Sequence, residues 1–203
     1  MVAVTGGIGA GKTRFSRAMA ELPGVCVLDA DALVHRALAT NEEVRRAVRE
    51  RFGEEAFGAD GVIDRGRLAE SVFADAARRR ALEEILHPVV RSELAREADA
   101  LRHREGVAIV LVEVPLLAEA GVPPWCDRVV TVEAEASLRL ERLRARGIGA
   151  EEGRRRMAAQ ANEAQRRSVA DEIVVNEGDV SSLERAARRL YQAWRREWEE
   201  GGA

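Results

Sequence analysis

A glycine-rich segment near the start of the chain has the spacing of a phosphate-binding loop. Residues 6–13 read GGIGAGKT and match the pattern G-x-x-x-x-G-K-[ST] at every position. Glycines let backbone N–H groups approach phosphate oxygens closely, and a helix that begins at the end of the loop adds a partial positive charge. In such a loop Lys12 reaches the β- and γ-phosphates of a nucleoside triphosphate, and the Thr13 hydroxyl can bind Mg²⁺. The segment therefore predicts a nucleoside triphosphate site that uses Mg²⁺.

The lysine of this segment is the only lysine in the sequence. Every other basic side chain among the 32 lysines and arginines is an arginine. A lysine is a compact charge on a flexible stem, and an arginine is not an equal replacement for it. The alternative, an ordinary glycine turn before a helix, fits less well because an apolar run precedes the segment and a helical pattern follows it. We therefore predict that Lys12 contacts phosphate.

Acidic side chains follow two other apolar runs. Asp29 and Asp31 come after residues 25–28, and Glu113 follows residues 107–112. On an extended chain Asp29 and Asp31 would point to the same side. Ligands of open parallel sheets bind at the carboxyl ends of the strands, which favours a catalytic role for Asp31, whereas Asp29 is equally consistent with an N-cap. Glu113 is a candidate second carboxylate on the magnesium side of the site.

The most arginine-dense region lies at residues 136–167. Arg139, Arg142 and Arg146 share one helix face because they are three and four residues apart. A Gly-Ile-Gly break separates them from a second segment, most of whose arginines are expected to be solvated beside glutamates. Phosphoryl transfer needs cations on a segment that closes and excludes water. We interpret this hairpin as a lid whose first phosphate contacts are Arg142 and Arg146, with Arg139 behind them.

Short apolar runs predict the strands of a parallel sheet that is covered on both faces. They are residues 2–5, 25–28, 107–112, 128–132 and 172–176. The block between the second and third runs has helical patterns and is too long for an ordinary crossover. The predicted organisation has a nucleotide-binding core (1–31, 107–135 and 168–203), an inserted helical domain (32–106) and the lid (136–167).

Further patterns predict helix ends and helix packing. Asn41 and Asp75 are predicted N-caps, and Ser181 is predicted to begin a capping box that opens the final helix. His87-Pro88 is predicted to start a new helix, with the proline in its first turn. The aromatic residues of the final helix recur at helical spacing and are expected to pack on the core; they are Tyr191, Trp194 and Trp198.

The bulk composition is typical of a globular protein with one sizeable core. The 203 residues carry a net charge of -3, which argues against general nucleic-acid binding. No apolar run approaches the roughly 18 residues of a membrane helix, and the early strand leaves no room for a signal peptide. Cys26 and Cys126 lack metal-site spacing. We expect a cytoplasmic protein without nucleic-acid or membrane partners. A monomer is the favoured state, and an oligomer stays open because the sequence does not give the oligomeric state.

Taken together, these segments resemble the dephospho-coenzyme A kinase family over nearly the whole chain. The D-A-D block, the H-P pair and the V-P-L-L block are much more specific than the phosphate loop, which alone indicates only nucleotide binding. The matching segments are Thr5–Thr13, Asp29-Ala30-Asp31 with His35, His87-Pro88, Val114–Leu117 with Glu119, Cys126–Val129, Arg156 with Gln160, and Ala170-Asp171 with Asn176.

The resemblance implies a fold and an activity. The fold is the α/β fold of P-loop kinases, a three-layer sandwich with a five-stranded parallel sheet, an inserted helical acceptor domain and a helical lid. The activity is transfer of the γ-phosphoryl group of ATP to the ribose 3′-hydroxyl of dephospho-CoA, which gives CoA and ADP in the last step of coenzyme A biosynthesis.

The resemblance and the motifs described above together predict roles for single residues. Asp31 would accept the proton of the acceptor hydroxyl or orient it, assisted by Lys12 and Arg142. The ATP contacts would be Gly9, Ala10, Gly11, Lys12, Thr13, Arg14, Arg146 and, near the adenine, Asn176. The acceptor contacts would be Asp31, His35, His87 and Leu116. Mg²⁺ would be bound by Thr13, with Glu113 as a second candidate.

Other functions stay open at this point. One is a different P-loop small-molecule kinase, such as a nucleoside or nucleotide kinase. Another is an ATP-binding module without catalysis, which would need neither Asp31 nor a lid. A GTP-driven switch is disfavoured because its N-K-x-D motif needs a second lysine, and the chain has none.

Overall fold

The computed structural model describes residues 1–201, and within them the strands form one five-stranded sheet. The strands are β1 (Val2–Thr5), β2 (Val25–Asp29), β3 (Ile109–Glu113), β4 (Arg128–Glu133) and β5 (Glu172–Val175), in the spatial order β2-β3-β1-β4-β5. The pairs β1–β3, β1–β4 and β4–β5 are parallel. The predicted parallel α/β sheet is confirmed.

Helices connect the strands. Their bounds are α1 (Lys12–Ala20), α2 (Ala30–Thr40), α3 (Glu42–Phe52), α4 (Arg65–Ala74), α5 (Ala76–Arg102), α6 (Leu117–Ala120), α7 (Ala136–Ala145), α8 (Ala150–Ala158), α9 (Glu163–Ser168) and α10 (Val180–Gly201), with a 3₁₀ turn at Glu54–Ala56. Among residues 1–201, no helix combines the length and the apolar character needed to cross a membrane.

Successive residues of β1 face two different packed layers. Val2 and Val4 belong to a buried cluster that includes Phe15 of α1. Ala3, between them, belongs to a second cluster that includes Leu117 of α6. Because neighbouring strand side chains point to opposite faces, the sheet has a packed layer on each side. The sheet with its two covering layers is the three-layer arrangement predicted from the sequence.

The described residues form two compact units. The first comprises Met1–Leu28 and the described residues from Ala100 onward, and the second comprises Asp29–Asp99. The whole segment that we interpret as a lid lies in the first unit. The second unit has its own apolar core, in which Val44, Val48 and Phe52 of α3 pack with residues of neighbouring helices.

Side chains cap several helices. Asn41 accepts a hydrogen bond from the N–H of Val44 at α3, and Asp75 accepts from that of Ala77 at α5, so both predicted N-caps are confirmed. The predicted capping box at Ser181 is wrong, because α10 begins one residue earlier. The Asp179 carboxylate accepts from the Ser181 N–H at 2.6 Å and fills the capping role.

The helix α5 runs through His87-Pro88 without a break, so the predicted helix start at this pair is wrong. A proline inside a helix removes one backbone hydrogen bond and usually kinks or ends it. Here buried apolar residues continue at four-residue spacing on both sides of the proline; they are Leu86, Val90, Leu94 and Ala98. Burial of this stripe offsets the loss of a single hydrogen bond.

The aromatic residues of α10 differ in burial. Trp194 is fully buried and Tyr191 is partly buried against the same core, as predicted. Trp198 is 39% exposed, so its predicted place in the core is wrong. Its ring lies 6.3 Å from the Trp194 ring, centroid to centroid. The amphipathic pattern therefore gave the correct face for two of the three rings.

Candidate active site

The phosphate-loop segment connects the buried strand β1 to the first turn of α1. Gly9 has a φ of 79° and Gly11 a φ of 109°, values that favour glycine over residues with a Cβ. A Cβ on Gly11 would lie 2.3 Å from Nδ2 of Asn176, so space as well as backbone conformation excludes a side chain there. Lys12 and Thr13 then begin α1, where the helix N-terminus carries a partial positive charge.

Lys12 folds back over the loop that precedes it. Its Nζ atom donates to the carbonyl oxygen of Gly6 at 2.8 Å and to that of Gly7 at 3.4 Å. Both acceptors are neutral. Phosphate oxygens at the same place would make charge-assisted bonds, which are roughly twice as strong as neutral ones. The cation is therefore held over the loop where a bound phosphate can take over its hydrogen bonds.

Thr13 and Glu113 meet at the carboxyl end of the sheet. β3 lies beside β1 with Glu113 opposite Val4, and the Thr13 Oγ1 donates to Glu113 Oε2 at 3.1 Å. The two oxygens suit a hard cation such as Mg²⁺. Among the described residues no group of three or more His, Cys, Asp or Glu could hold a metal.

Two arginines of α7 donate hydrogen bonds to carbonyl oxygens of the loop. Arg139 Nε donates to the carbonyl oxygen of Ile8 at 2.8 Å. Arg142 Nη1 donates to those of Gly9 and Ala10, each at 3.2 Å. Within residues 1–201 neither arginine has a carboxylate partner at salt-bridge distance. The sequence-predicted Arg142 thus lies against the loop, with Arg139 beside it.

These cations are partly desolvated without a compensating anion. Burial lowers the pKa of Arg139, and the charge of Arg166 lowers it further. Burial also lowers the pKa of Arg142, followed by the charge of Arg14. Each direction means that the charged form is disfavoured where it lies. A phosphate group bound by the loop would reverse that penalty.

Asn176 and Gln160 also bond to the loop. Asn176 is buried, its Nδ2 donates to the Ala10 carbonyl oxygen at 2.6 Å, and its Oδ1 accepts from Arg142 at 3.2 Å. Gln160 Oε1 accepts from the Ile8 N–H at 2.7 Å. Ile8 is therefore held at its N–H by Gln160 and at its carbonyl by Arg139. Gln160 was missing from the predicted site, although it belongs to one of the matching family segments.

The remaining predicted residues of the first unit are exposed. Arg14 extends from the first turn of α1, and Arg146 directly follows the last residue of α7. Leu116 directly precedes α6 and is 45% exposed. The roles predicted for these three residues remain predictions.

A buried ion pair joins α9 to β4, and it was not predicted from the sequence. Arg166 of α9 and Glu133 of β4 have side chains only 4% and 3% exposed, and their closest nitrogen and oxygen are 2.5 Å apart. A second bond runs from Arg166 Nε to Glu133 Oε1 at 2.7 Å, and Thr131 donates to the same oxygen. The hydrogen bond to Glu133 raises the pKa of Arg166. The pair ties the end of the predicted lid segment to the sheet.

In the second unit the structure separates the two aspartates of the D-A-D block. Asp29 is the N-cap of α2, and its Oδ1 accepts from the N–H groups of Asp31 and Ala32. Asp31 lies in the first turn of α2, so the expectation that both point to one side of an extended chain is wrong. The capping role takes up the Asp29 carboxylate. The Asp31 side chain is exposed and takes no part in the cap.

The histidines of the acceptor prediction lie on different helices of this unit. His35 is on α2, one turn after Asp31, and its Nε2 lies 2.5 Å from Nη2 of Arg65. His87 is exposed in the middle of α5. Asp31 and His35 lie on one face of α2 and His35 contacts Arg65, and we call these three residues the Asp31–His35–Arg65 face. The role predicted for His87 remains a prediction.

Comparisons with known proteins identify the family of this chain. A family model described as dephospho-CoA kinase matches residues 1–182. A dephospho-CoA kinase of Methylococcus capsulatus is 39% identical over 195 residues, which cover 96% of each chain. One of Symbiobacterium thermophilum is 40% identical over 196 residues, which cover 96% of this chain and 80% of that protein.

Solved structures show the same fold. A crystal structure of a Thermus thermophilus protein has a TM-score of 0.78 and 34% identity, covering 95% of this chain and 96% of that one. A dephospho-CoA kinase from Campylobacter jejuni has a TM-score of 0.63 and 23% identity, with 95% of each chain covered. The family model and the relatives agree over nearly the whole length. This chain belongs to the dephospho-CoA kinase family, and with it to the phosphotransferases.

Proposed function

We propose that the chain transfers the γ-phosphoryl group of ATP to the 3′-hydroxyl of dephospho-CoA and releases CoA and ADP. The observation that carries the donor half is the set of cations on the phosphate loop. Lys12, Arg139 and Arg142 all donate to loop carbonyls, and burial lowers the pKa values of both arginines. Family membership supports the choice of acceptor.

The donor phosphates would exchange places with the loop carbonyls as partners of these cations. Lys12 would move its hydrogen bonds from Gly6 and Gly7 to the β- and γ-phosphates. Arg142 would balance the charge that spreads over the transferred group in a loose transition state. Gln160 and Arg139 hold the Ile8 peptide at both ends, so the loop needs little rearrangement when ATP binds.

The oxygen pair of Thr13 and Glu113 is the proposed magnesium site. These residues would hold the ion directly or through water, because their oxygens are the ligand type it prefers. A bound Mg²⁺ would neutralise part of the charge on the donor phosphates. A cytoplasmic location and a monomeric state, both expected from the sequence, also belong to this proposal.

Asp31 is the proposed acceptor carboxylate. Its neighbour Asp29 is occupied by two backbone N–H groups, whereas Asp31 is exposed on the first turn of α2. In phosphoryl transfer a carboxylate positions the attacking hydroxyl and accepts its proton, and positioning matters more than basicity. Because Asp29 caps α2 and the Asp31 side chain does not, the D-A-D block supports Asp31 as the catalytic residue.

A coupled ADP-release assay with ATP, Mg²⁺ and different acceptors tests the function. We expect turnover with dephospho-CoA and little with nucleosides or nucleoside monophosphates. Preferred turnover of a nucleoside monophosphate would favour the rival nucleotide-kinase function. ATP binding without ADP release for any acceptor would favour a binding module.

A matched pair of substitutions tests Asp31. Asp31→Asn should retain ATP binding and lower kcat by roughly 10²- to 10⁴-fold, the usual range for loss of a general acid or base. Asp29→Asn should keep turnover, because Asn caps helices about as well as Asp. Equal turnover in Asp31→Asn and the unmodified protein would remove Asp31 from the role.

A further inference from the structure

Asp31 and His35 have predicted roles in acceptor binding. The third residue of the Asp31–His35–Arg65 face, Arg65, has no role in the sequence predictions or in the proposed mechanism. It is the first residue of α4, it is exposed, and its Nη2 lies 2.5 Å from Nε2 of His35. A guanidinium has only donors, so the His35 Nε2 must accept and the ring proton must lie on Nδ1. The contact is thus a hydrogen bond from a cation to a neutral imidazole.

The partner of Arg65 differs from those of other arginines in the same unit. Arg36 pairs with Glu93 and Glu97, and Arg67 pairs with Asp64. Within residues 1–201 no carboxylate lies at salt-bridge distance from Arg65. Its guanidinium keeps several donors available, in the planar fork that matches phosphate oxygens. The chemistry of this position suits a phosphate anion.

We propose that Arg65 binds the 5′-diphosphate of the acceptor and thereby presents the ribose 3′-hydroxyl to Asp31. This inference rests on the proposed function. His35 is a positioning residue in it, because its imidazole holds the guanidinium in place on the side away from the anion.

The spacing along α2 agrees with the size of a nucleotide. Asp31 and His35 are four residues apart, so they lie on one face about one helical turn apart, or roughly 5.4 Å. In a nucleotide the 3′-oxygen is attached to C3′, and the 5′-phosphate is attached through C5′ to the adjacent ring carbon C4′, so their separation is of the same order. A hydroxyl at Asp31 therefore leaves the diphosphate within reach of the side chain that contacts His35.

The charges along the face also fix the orientation of the acceptor. Asp31 repels a diphosphate and accepts a hydrogen bond from a hydroxyl, whereas Arg65 attracts the diphosphate. A nucleoside without phosphates would satisfy only the Asp31 end. Arg65 is accordingly a specificity residue that favours dephospho-CoA over nucleosides and selects the hydroxyl that is presented.

Two acceptors separate the contribution of the nucleoside from that of the rest of the acceptor. Initial rates are measured with saturating ATP and either dephospho-CoA or adenosine, which has the same 2′- and 3′-hydroxyls but neither the diphosphate nor the pantetheine arm. For the unmodified chain we expect kcat/KM for dephospho-CoA to exceed that for adenosine at least 100-fold. Similar values for the two acceptors would overturn the inference. A chain inert toward both acceptors would overturn the proposed function, and the inference with it.

Variants then assign the preference to Arg65. Arg65→Ala should raise the KM for dephospho-CoA roughly 10- to 100-fold, the scale of one lost charge-assisted hydrogen-bonded contact. It should leave the KM for ATP and the rate with adenosine within about twofold. Arg65→Lys, which keeps the charge but not the fork, should recover part of the loss. The matched control is Arg46→Ala, which removes an exposed arginine of α3 in the same unit.

Each result decides between binding and architecture. An unchanged KM for dephospho-CoA in Arg65→Ala would overturn the inference. So would an equal penalty with adenosine, because a merely structural role would affect both acceptors alike. If the alanine variant unfolds at a lower temperature than the control, the comparison is made with Arg65→Lys, and loss of acceptor preference without loss of stability is the result expected.

Discussion

Two sets of arginines, one in each compact unit, have different partners although they carry the same charge. In the first unit Arg139 and Arg142 of α7 donate to carbonyl oxygens of the phosphate loop. In the second unit Arg36 of α2 donates to the carboxylates of Glu93 and Glu97 on α5. The first arrangement leaves a positive charge uncompensated, whereas the second neutralises it within the protein.

The difference separates cations that serve a ligand from cations that hold the fold. A partly buried cation without an anion destabilises the folded protein, as the lowered pKa of Arg142 indicates. Phosphate binding explains why the protein retains a cation that destabilises its folded state. An exposed cation beside carboxylates contributes little to stability and needs no ligand. Substitutions in the two groups should therefore affect different measurements.

Lys12 should show the largest effect of any ligand-directed cation. Lys12→Ala is expected to lower kcat roughly 10³-fold, the upper end of the cost of removing one donor that stabilises developing charge. Lys12→Arg keeps the charge but should recover little activity, because the guanidinium cannot replace a compact ammonium in a tight loop. Steady-state rates and a thermal melt check this, and near-normal turnover in Lys12→Ala would contradict the site.

The Glu133–Arg166 pair should dominate stability. Arg166→Met would leave the Glu133 carboxylate buried beside Thr131 without its cation, which costs about 3–5 kcal/mol of unfolding free energy. Denaturant unfolding followed by far-UV circular dichroism measures this loss. Arg166→Met should therefore lower the free energy of unfolding, whereas Lys12→Ala should lower kcat.

A double variant distinguishes the lost pair from lost packing. Glu133→Leu combined with Arg166→Met should regain most of the stability, because replacing a buried ion pair by apolar residues of similar volume is often neutral or favourable. A double variant as unstable as Arg166→Met alone would show that the cost lies in packing around α9 and not in the unpaired charge.

Most of the fold was predictable from the sequence because each strand coincides with a short apolar run. Five apolar runs bounded by polar residues are typical of buried parallel strands. The glycine-rich loop after the first run indicates which edge of the sheet binds the ligand. Pro88 shows where local patterns fail. Its effect on α5 depends on the burial of residues one and two turns away, which is a property of tertiary packing.

The site was predictable where a residue type is tied to a local motif. Lys12 and Thr13 follow from their loop, and Arg142 follows from its helix face. Gln160 contacts a residue that is 152 positions away in the sequence, and the partners of the Glu133–Arg166 pair are 33 positions apart, so neither contact follows from a local motif. In a chain rich in arginine and glutamate, nothing local distinguishes Glu133 from its solvated counterparts. The capping role of Asp29, which the sequence left open, was likewise decided only when the start of α2 was known.

Arg142 should lose activity without a large loss of stability. Arg142→Ala is expected to lower kcat/KM for ATP about 100-fold, since one cation near the transferred group is lost. It also removes a partly buried cation that has no anion, so the unfolding midpoint should change little. Kinetics and a thermal melt on the same preparation test this. A large fall in the midpoint with normal kinetics would assign Arg142 to bracing the loop alone.

Arg36 should show the smallest effect, and its salt dependence completes the contrast with Arg142. Its carboxylate partners are themselves accessible, and Glu93 also bonds to Arg96, so Arg36→Gln leaves no buried charge unpaired. We expect unchanged turnover and a slight decrease in the unfolding midpoint at low salt. At about 1 M NaCl, where the screening length is about 3 Å, the variant and the unmodified protein should unfold together. A difference that persists at high salt would mean that Arg36 contributes through packing of its aliphatic stem, and a fall in turnover would mean that the helical unit also uses paired cations in catalysis.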